Sequence, residues 1–205
     1  MRFIVTGFEP FGGLAQNASW EAVRRAEAPE GADLIRSCLP VSFRAAPRQL
    51  EALIRQHRPD VVLCVGQAGG RSGISLERVA VNLMDARIPD NDGFQPEEEP
   101  LVSGGETAYF STLPLRRMET ALRVVGLSVQ ISNTAGLYVC NTAFYTAARL
   151  AAQEFPGQKT GFVHVPYLPE QSRDGKYPSM PLEDVVRALE ECLQCLAEGQ
   201  NTAKV

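Results

Sequence analysis

DVVLCVG, residues 60–66, places Val61, Val62, Leu63, Cys64 and Val65 in one unbroken apolar run. A strand with one wet face alternates apolar and polar residues; a run apolar at every position reads as a strand covered on both faces. The segments on either side repeat one motif. Upstream, RFIVTG (2–7) reads as a strand, FEPFGGLAQN as a loop, and a helix begins at about Ser19. Residues 33–39 read as a second strand. A helix follows with Pro47 in its first turn and Leu50, Leu53 and Ile54 on its apolar face. Downstream, SLERVAVNL (75–83) is rich in β-formers and bounded by glycines. A helix over 116–125 leads to strand LSVQIS (127–132), a helix opening at Cys140 leads to strand TGFVHVP (160–166), and a last helix runs from about Pro181 to Ala197. Repeated strand–helix alternation predicts an α/β fold, with a mostly parallel sheet covered by helices on both faces.

A length of 205 residues fits one compact domain, 1–205, with a core large enough to need no staples. The composition, 44% hydrophobic and 21% charged, is ordinary for a globular protein. A net charge of −4 argues against a nucleic-acid surface, which needs a basic patch. No apolar run approaches the ~18 residues of a membrane span. The N-terminus, MRFIVTGFEPFGG, breaks too early, at Gly7 and Pro10, for a signal peptide. Five irregularly spaced cysteines (Cys38, Cys64, Cys140, Cys192, Cys195) then predict free thiols and a cytoplasmic location. Cys192 and Cys195 form a C-x-x-C inside the helical pattern LEECLQCL, whereas a redox pair normally opens a helix after a strand. With only two histidines, neither near a cysteine pair, no metal site is expected.

Two stretches escape the alternation: 84–106, acidic and punctuated by Gly and Pro, and 166–181. Loops of this length are usually functional or mobile. The acidic run 97–99 reads as a solvated face.

The chemistry-bearing candidates converge on one sheet edge. In a doubly wound sheet the strands deliver the chain to their carboxyl edge, where the next helix begins. Strand 127–132 is expected to end there, with Cys140 opening the following helix. That helix, roughly 16 residues, returns the chain ~24 Å, and strand 160–166 comes back ~20 Å, bringing His164 to the level of Cys140. A helix start favours an anion, and a neighbouring imidazole can take the thiol proton and later protonate a leaving amine. Against this stands the packing reading, since free cysteines and strand histidines are often simply buried. His57, ending a helix just before strand 60–66, suits a C-terminal cap at the opposite edge. The loops GFEPFGG and GQAGGRSG also reach the carboxyl edge. Phe8 and Phe11 on the first can make an apolar slot for a flat ligand, and Gln67 starts the second. Neither loop is a Walker or dinucleotide motif. A third group to orient the histidine is a carboxylate: Glu77, Asp85, Asp90, Asp92, Glu170 and Asp174 are all candidates, and spacing does not choose among them.

Taken jointly and in order, TGFEPFGG (6–13), GRSGISLERVAVN (70–82), SNTAGLYVCN (132–141) and GFVHVPYLPEQ (161–171) resemble the pyroglutamyl peptidase I family of cysteine peptidases, over nearly the whole chain. The resemblance implies removal of N-terminal pyroglutamate from peptides, with Cys140 as nucleophile, His164 as general acid/base and Glu77 as its orienting carboxylate. It implies an oxyanion site from Arg87 and the Cys140 N–H, and a substrate pocket from Phe8, Phe11 and Gln67, with Asn17 a further candidate. It also implies an open α/β/α sandwich with a mostly parallel, mixed twisted sheet, no metal or organic cofactor, and a homo-oligomer, dimer or tetramer. Leu137 departs from the small or polar residue common there. The competing readings are a cysteine amidase acting on other small amides and a non-catalytic small-ligand binding protein.

Overall fold

The apolar run 60–66 becomes an inner strand of a six-stranded sheet. The computed structural model describes residues 1–172 and 175–198. In chain order the elements are β1 (Arg2–Phe8), α1 (Ala18–Val23), β2 (Asp33–Leu39), α2 (Ala45–His57), β3 (Val61–Gln67), β4 (Ile74–Glu77), β5 (Val79–Val81), β6 (Ala108–Phe110), α3 (Leu115–Val124), β7 (Val129–Ser132), α4 (Val139–Gln153), β8 (Lys159–Val165) and α5 (Leu182–Glu198). The sheet order is β2-β1-β3-β8-β4-β7, and β5 pairs with β6 in a separate two-stranded ribbon.

β2, β1, β3 and β8 are mutually parallel. β4 lies antiparallel to β8, and β7 is parallel to β4. The sheet is therefore mixed, and one step of the sequence reading needs correcting. β7 runs against β8, so it carries the chain away from the carboxyl edge; the segment 133–138 brings it back before α4 begins. Cys140 still opens a helix at that edge. The cause lies upstream, where the loop after β3 crosses over the end of β8 and enters β4 in the opposite direction. That crossing is tight: a Cβ on Gly69 would lie 2.3 Å from the Tyr167 ring, so any side chain there would have to displace the ring.

Strand alternation sorts the core into two layers. Phe3, Val5, Val61, Leu63, Val65, Ile74, Leu76, Val163 and Val165 face α1, α3 and α5. Ile4, Phe8, Val62, Cys64 and Phe162 face α2 and α4. The result is a three-layer α/β/α sandwich. α5 shows how spacing makes a face: Val185, Ala188, Leu189, Cys192, Leu193, Cys195 and Leu196 recur at helical period and all are buried. Cys192 and Cys195 are thus core residues of one helix, and both are free thiols. α4 is buried almost all round, because the β5–β6 ribbon packs on it as well as the sheet and α2. Its alanines allow that close approach.

His57 ends α2, and Arg58 follows in the left-handed region at φ 44°. The His57 carbonyl accepts a hydrogen bond from Arg2 at 2.9 Å, at the amino edge. Loop 84–106 is ordered by its own contacts. Met84 and Glu99 form an antiparallel bridge, and Asp90 accepts from the N–H groups of Phe43, Asp92 and Phe94. Glu97, Glu98 and Glu99 are exposed. Among the described residues no cluster of three metal-ligating side chains occurs, and no helix is long and apolar enough to cross a membrane.

Candidate active site

The site is assembled at the carboxyl edge of β3 and β8. His164 is the penultimate residue of β8 and pairs across the ladder with Ser75 on β4, while Glu77 pairs with Phe162. Glu77 and His164 therefore share a face as diagonal neighbours, a geometry long side chains bridge. Glu77 Oε1 lies 2.8 Å from His164 Nδ1. Glu77 is fully buried and His164 is 3% exposed. Of the six carboxylates open at the sequence level, this one meets the histidine. Asp90 is spent on loop N–H groups, Asp92 accepts from Ser42, Glu170 accepts from Gln16, and Asp85 is exposed. Asp174 lies outside the described residues.

Cys140 sits in the first turn of α4, half-buried, where N–H groups precede the first helical hydrogen bond, Thr142 N–H to Tyr138 O at 3.3 Å. Its sulfur rests on β3: a Cβ on Gly66 would lie 2.7 Å from Cys140 Sγ and 2.7 Å from the Phe162 ring. Gly66 is the ladder partner of His164 on β3, so the missing side chain at 66 seats the thiol beside the histidine's strand. The helix start is fixed by the next residue. Asn141, fully buried, accepts from Val81 N–H at 2.9 Å and donates to the carbonyls of Val81 at 2.8 Å and Leu83 at 3.1 Å. α4 is thereby pinned to β5.

Beside the thiol lies a narrow slot lined by Phe8, Phe11, Asn17, Val41, Gln67, Tyr138, Val139 and Cys140. The four pocket residues expected from the sequence thus come together. Their polar atoms differ in availability. Asn17 caps α1: Oδ1 accepts from Ser19 N–H at 3.0 Å and Ser19 Oγ at 2.8 Å, and Nδ2 donates to Glu9 O at 2.9 Å. Gln67 Oε1 accepts from Ala18 N–H and Gln171 Nε2, each at 2.8 Å, while its Nε2 is buried with no partner among the described residues. Arg87 stands apart from the contacts of Glu77 with His164. It is exposed and has no hydrogen bond or ion pair among the described residues, although its segment is tied to the loop before Cys140 by Asp85 N–H to Leu137 O at 3.1 Å and Tyr138 OH to Pro89 O at 3.0 Å. Leu137 is half-buried and does not line the slot.

A model of the pyroglutamyl peptidase family matches residues 1–198. The chain belongs to the pyroglutamyl peptidase family. It is 50% identical over 191 residues to the pyrrolidone-carboxylate peptidase of Thermococcus onnurineus, covering 93% of this chain and 96% of that one. Against the pyrrolidone-carboxylate peptidase of Thermococcus kodakarensis it is 46% identical over 199 residues, 97% of each chain. Among solved structures it superposes on pyroglutamyl peptidase I of Bacillus amyloliquefaciens with a TM-score of 0.92 at 41% identity, covering 96% of this chain and 94% of that one. A mutant pyrrolidone carboxyl peptidase from the hyperthermophile Pyrococcus furiosus gives 0.93 at 40% identity, covering 98% and 100%.

In this pyroglutamyl peptidase the resting charges differ from what a helix start alone suggests. Burial pushes the Cys140 thiol up to about 12, with the Glu77 and Cys64 charges adding to it and Arg71 and the local N–H opposing. Burial pushes His164 down, against the hydrogen bond and charge of Glu77. For both groups desolvation outweighs the contacts that favour the charged form. Four residues of the site were not singled out by the sequence reading. Arg71 Nη1 lies 2.6 Å from Glu77 Oε1; Val41, Tyr138 and Val139 line the slot. Tyr138 packs edge-on against Phe43 at 5.2 Å and near Phe11 at 6.1 Å, but a tyrosine before a helix is unremarkable until the fold brings Phe11 to it.

Proposed function

We propose that the chain removes N-terminal pyroglutamate from peptides through a Cys140–His164–Glu77 triad and an acyl-enzyme. The observation that carries this reading is the 2.8 Å contact of Glu77 with His164 Nδ1, on the strand beside which Cys140 and its slot lie. With Nδ1–H donated to the carboxylate, Nε2 presents its lone pair to accept the thiol proton. The thiolate forms a bond to the pyroglutamyl carbonyl carbon, whose oxygen becomes an oxyanion. The Cys140 N–H stabilises that charge, joined by Arg87 swinging in from the rim. The imidazolium returns the proton to the departing amine as the C–N bond breaks. Water, deprotonated by His164, then hydrolyses the thioester and restores the thiol.

The slot explains the substrate. Pyroglutamate is a flat, uncharged lactam, so Phe8, Phe11 and Tyr138 suit its faces, and no carboxylate is needed to hold an ammonium. The unpartnered Gln67 Nε2 is the donor for a lactam carbonyl. A buried donor left unpaired by proline, which lacks the ring carbonyl, rejects that residue far better than an apolar wall would. The five free thiols suit a reducing compartment.

The test is hydrolysis of a fluorogenic pyroglutamyl amide, with prolyl and glutamyl amides as comparators. Wild type should cleave the first alone, Cys140→Ser should lose on the order of 10³-fold or more in kcat, and the acid limb of kcat/KM should fall below the ordinary imidazole value of about 6.5. Comparable turnover of all three amides would favour the broader amidase instead.

A further inference from the structure

The triad leaves one charge unexplained. Glu77 is fully buried, and burial disfavours the charged form of the imidazole it touches. A buried carboxylate needs a cation beside it. The compensating cation is Arg71, from the glycine-rich loop that crosses the end of β8. Its Nη1 lies 2.6 Å from Oε1, the same oxygen that meets His164, and its Nη2 donates to Thr134 O at 3.1 Å. Glu77 Oε2 has no partner among the described residues, so both donors converge on Oε1. Thr134 belongs to the segment that leads from β7 to Cys140.

We propose that Arg71 is a positioning residue for this reaction: it holds Glu77 with Oε1 aimed at His164 Nδ1, and through Thr134 it anchors the segment carrying Cys140 to the same carboxylate. The proposal rests on the triad reading. A carboxylate oxygen held against Nδ1 makes that nitrogen the donor, which leaves Nε2 free for the thiol proton. The Arg71 charge also pushes His164 down, so without the guanidinium the ring takes a proton at higher pH. Nε2 then carries a hydrogen and no longer accepts one. The charged and titratable groups facing this unit are Arg71 from the crossing loop and Cys140 from α4, and Cys64 from β3 acts on Cys140.

The experiment compares full-length wild type, Arg71→Met and Arg71→Lys in two profiles against pH: kcat/KM for a pyroglutamyl amide, and the rate of Cys140 alkylation by iodoacetamide. For Arg71→Met we expect kcat to fall roughly 10²-fold with KM within about threefold, and the acid limb to move up by about one pH unit. Alkylation should also need higher pH, because a cation near the thiol is gone. For Arg71→Lys the acid limb should return to near the wild-type position, while kcat stays roughly tenfold low, since an ammonium cannot span Glu77 and Thr134 as a fork does. A Met variant that melts like wild type yet keeps the wild-type acid limb overturns the proposal, as does a loss confined to KM. Should the Met variant not fold, the Lys variant decides: full kcat or a displaced acid limb refutes the role. Activity surviving in Cys140→Ser or His164→Asn would instead break the triad reading, a result distinct from any of these.

Discussion

The two faces of the six-stranded sheet are built from the same strands and obey different rules. On β8, Val163 and Val165 point to α1, α3 and α5, while Phe162 and His164 point the other way; on β4, Ile74 and Leu76 oppose Ser75 and Glu77. The first face is apolar wherever these strands meet it, and it closes over the buried sulfurs of α5. The second is apolar only until the strands approach the site, where Ser75, Glu77 and His164 are all buried. Thr6, Glu77, Thr142 and Thr160 also hold buried oxygens without a hydrogen-bond partner among the described residues. Unpaired buried polar atoms cost stability. One face therefore supplies the fold's stability and the other spends part of it on a site.

The sharpest way to probe this division is to change the polar face without changing its shape. Glu77→Gln keeps the volume and an acceptor for Nδ1–H but removes the charge that, in the proposed mechanism, fixes the tautomer and steadies the imidazolium. We expect kcat to fall on the order of 10²- to 10⁴-fold while the circular dichroism and fold persist; steady-state kinetics with a pyroglutamyl amide measures it. If kcat holds within a factor of two, Glu77 only packs. The apolar face predicts the reverse outcome. Leu189→Ala on α5 deletes a fully buried side chain and should cost ~2–5 kcal/mol of stability, read from urea or thermal unfolding, with kcat per folded molecule unchanged. A matching loss of kcat would mean that the two faces are coupled.

The apolar face was also the more legible. The unbroken run 61–65, the helical spacing of α5 and the alternation along the chain point to a covered sheet before any coordinates, because burial on both sides leaves a compositional trace. Direction leaves none. β4 is four residues, ISLE, and nothing in them records that the chain enters from the carboxyl edge. For that reason the route expected from the sequence, a β7 parallel to β8 that brings Cys140 to His164, is not the one the chain takes: β7 runs against β8, and the segment 133–138 restores the meeting. Residues 75–83 read as one β-rich stretch but split at Arg78 into β4 and the ribbon strand β5, whose partner β6 is only three residues long. Arg71 was invisible for the same reason as β4: its contact with Glu77 exists only because the loop crosses β8. Asn17 shows the opposite limit. Its place beside the slot was anticipated, but its side chain is committed to capping α1, a role that depends on where the helix begins.

The smallest effect belongs to the thiols of α5 and is the most direct contrast with Cys140. Cys192 is fully buried, and burial pushes its thiol up, as burial does for Cys140. The difference lies in what adjoins each sulfur. Cys192 has leucine and alanine neighbours on its helix face, and the charged groups that act on it are Cys195 and Glu191, with no histidine; Cys140 has a slot on one side and the His164 strand on the other. An elevated thiol titration is therefore compatible with both inertness and catalysis, and a proton acceptor within reach separates the two. Cys192→Ala should cost about 1 kcal/mol, the scale of removing a small buried group, with kcat, KM and the pH profile at wild-type values. Brief iodoacetamide treatment followed by peptide mapping should label Cys140 ahead of Cys64 and Cys192, with activity lost in proportion to the Cys140 label. Labelling of Cys192 at a comparable rate in the folded enzyme would mean that the apolar face opens to solvent, and the contrast between the faces would then lie in their chemistry but not in their accessibility.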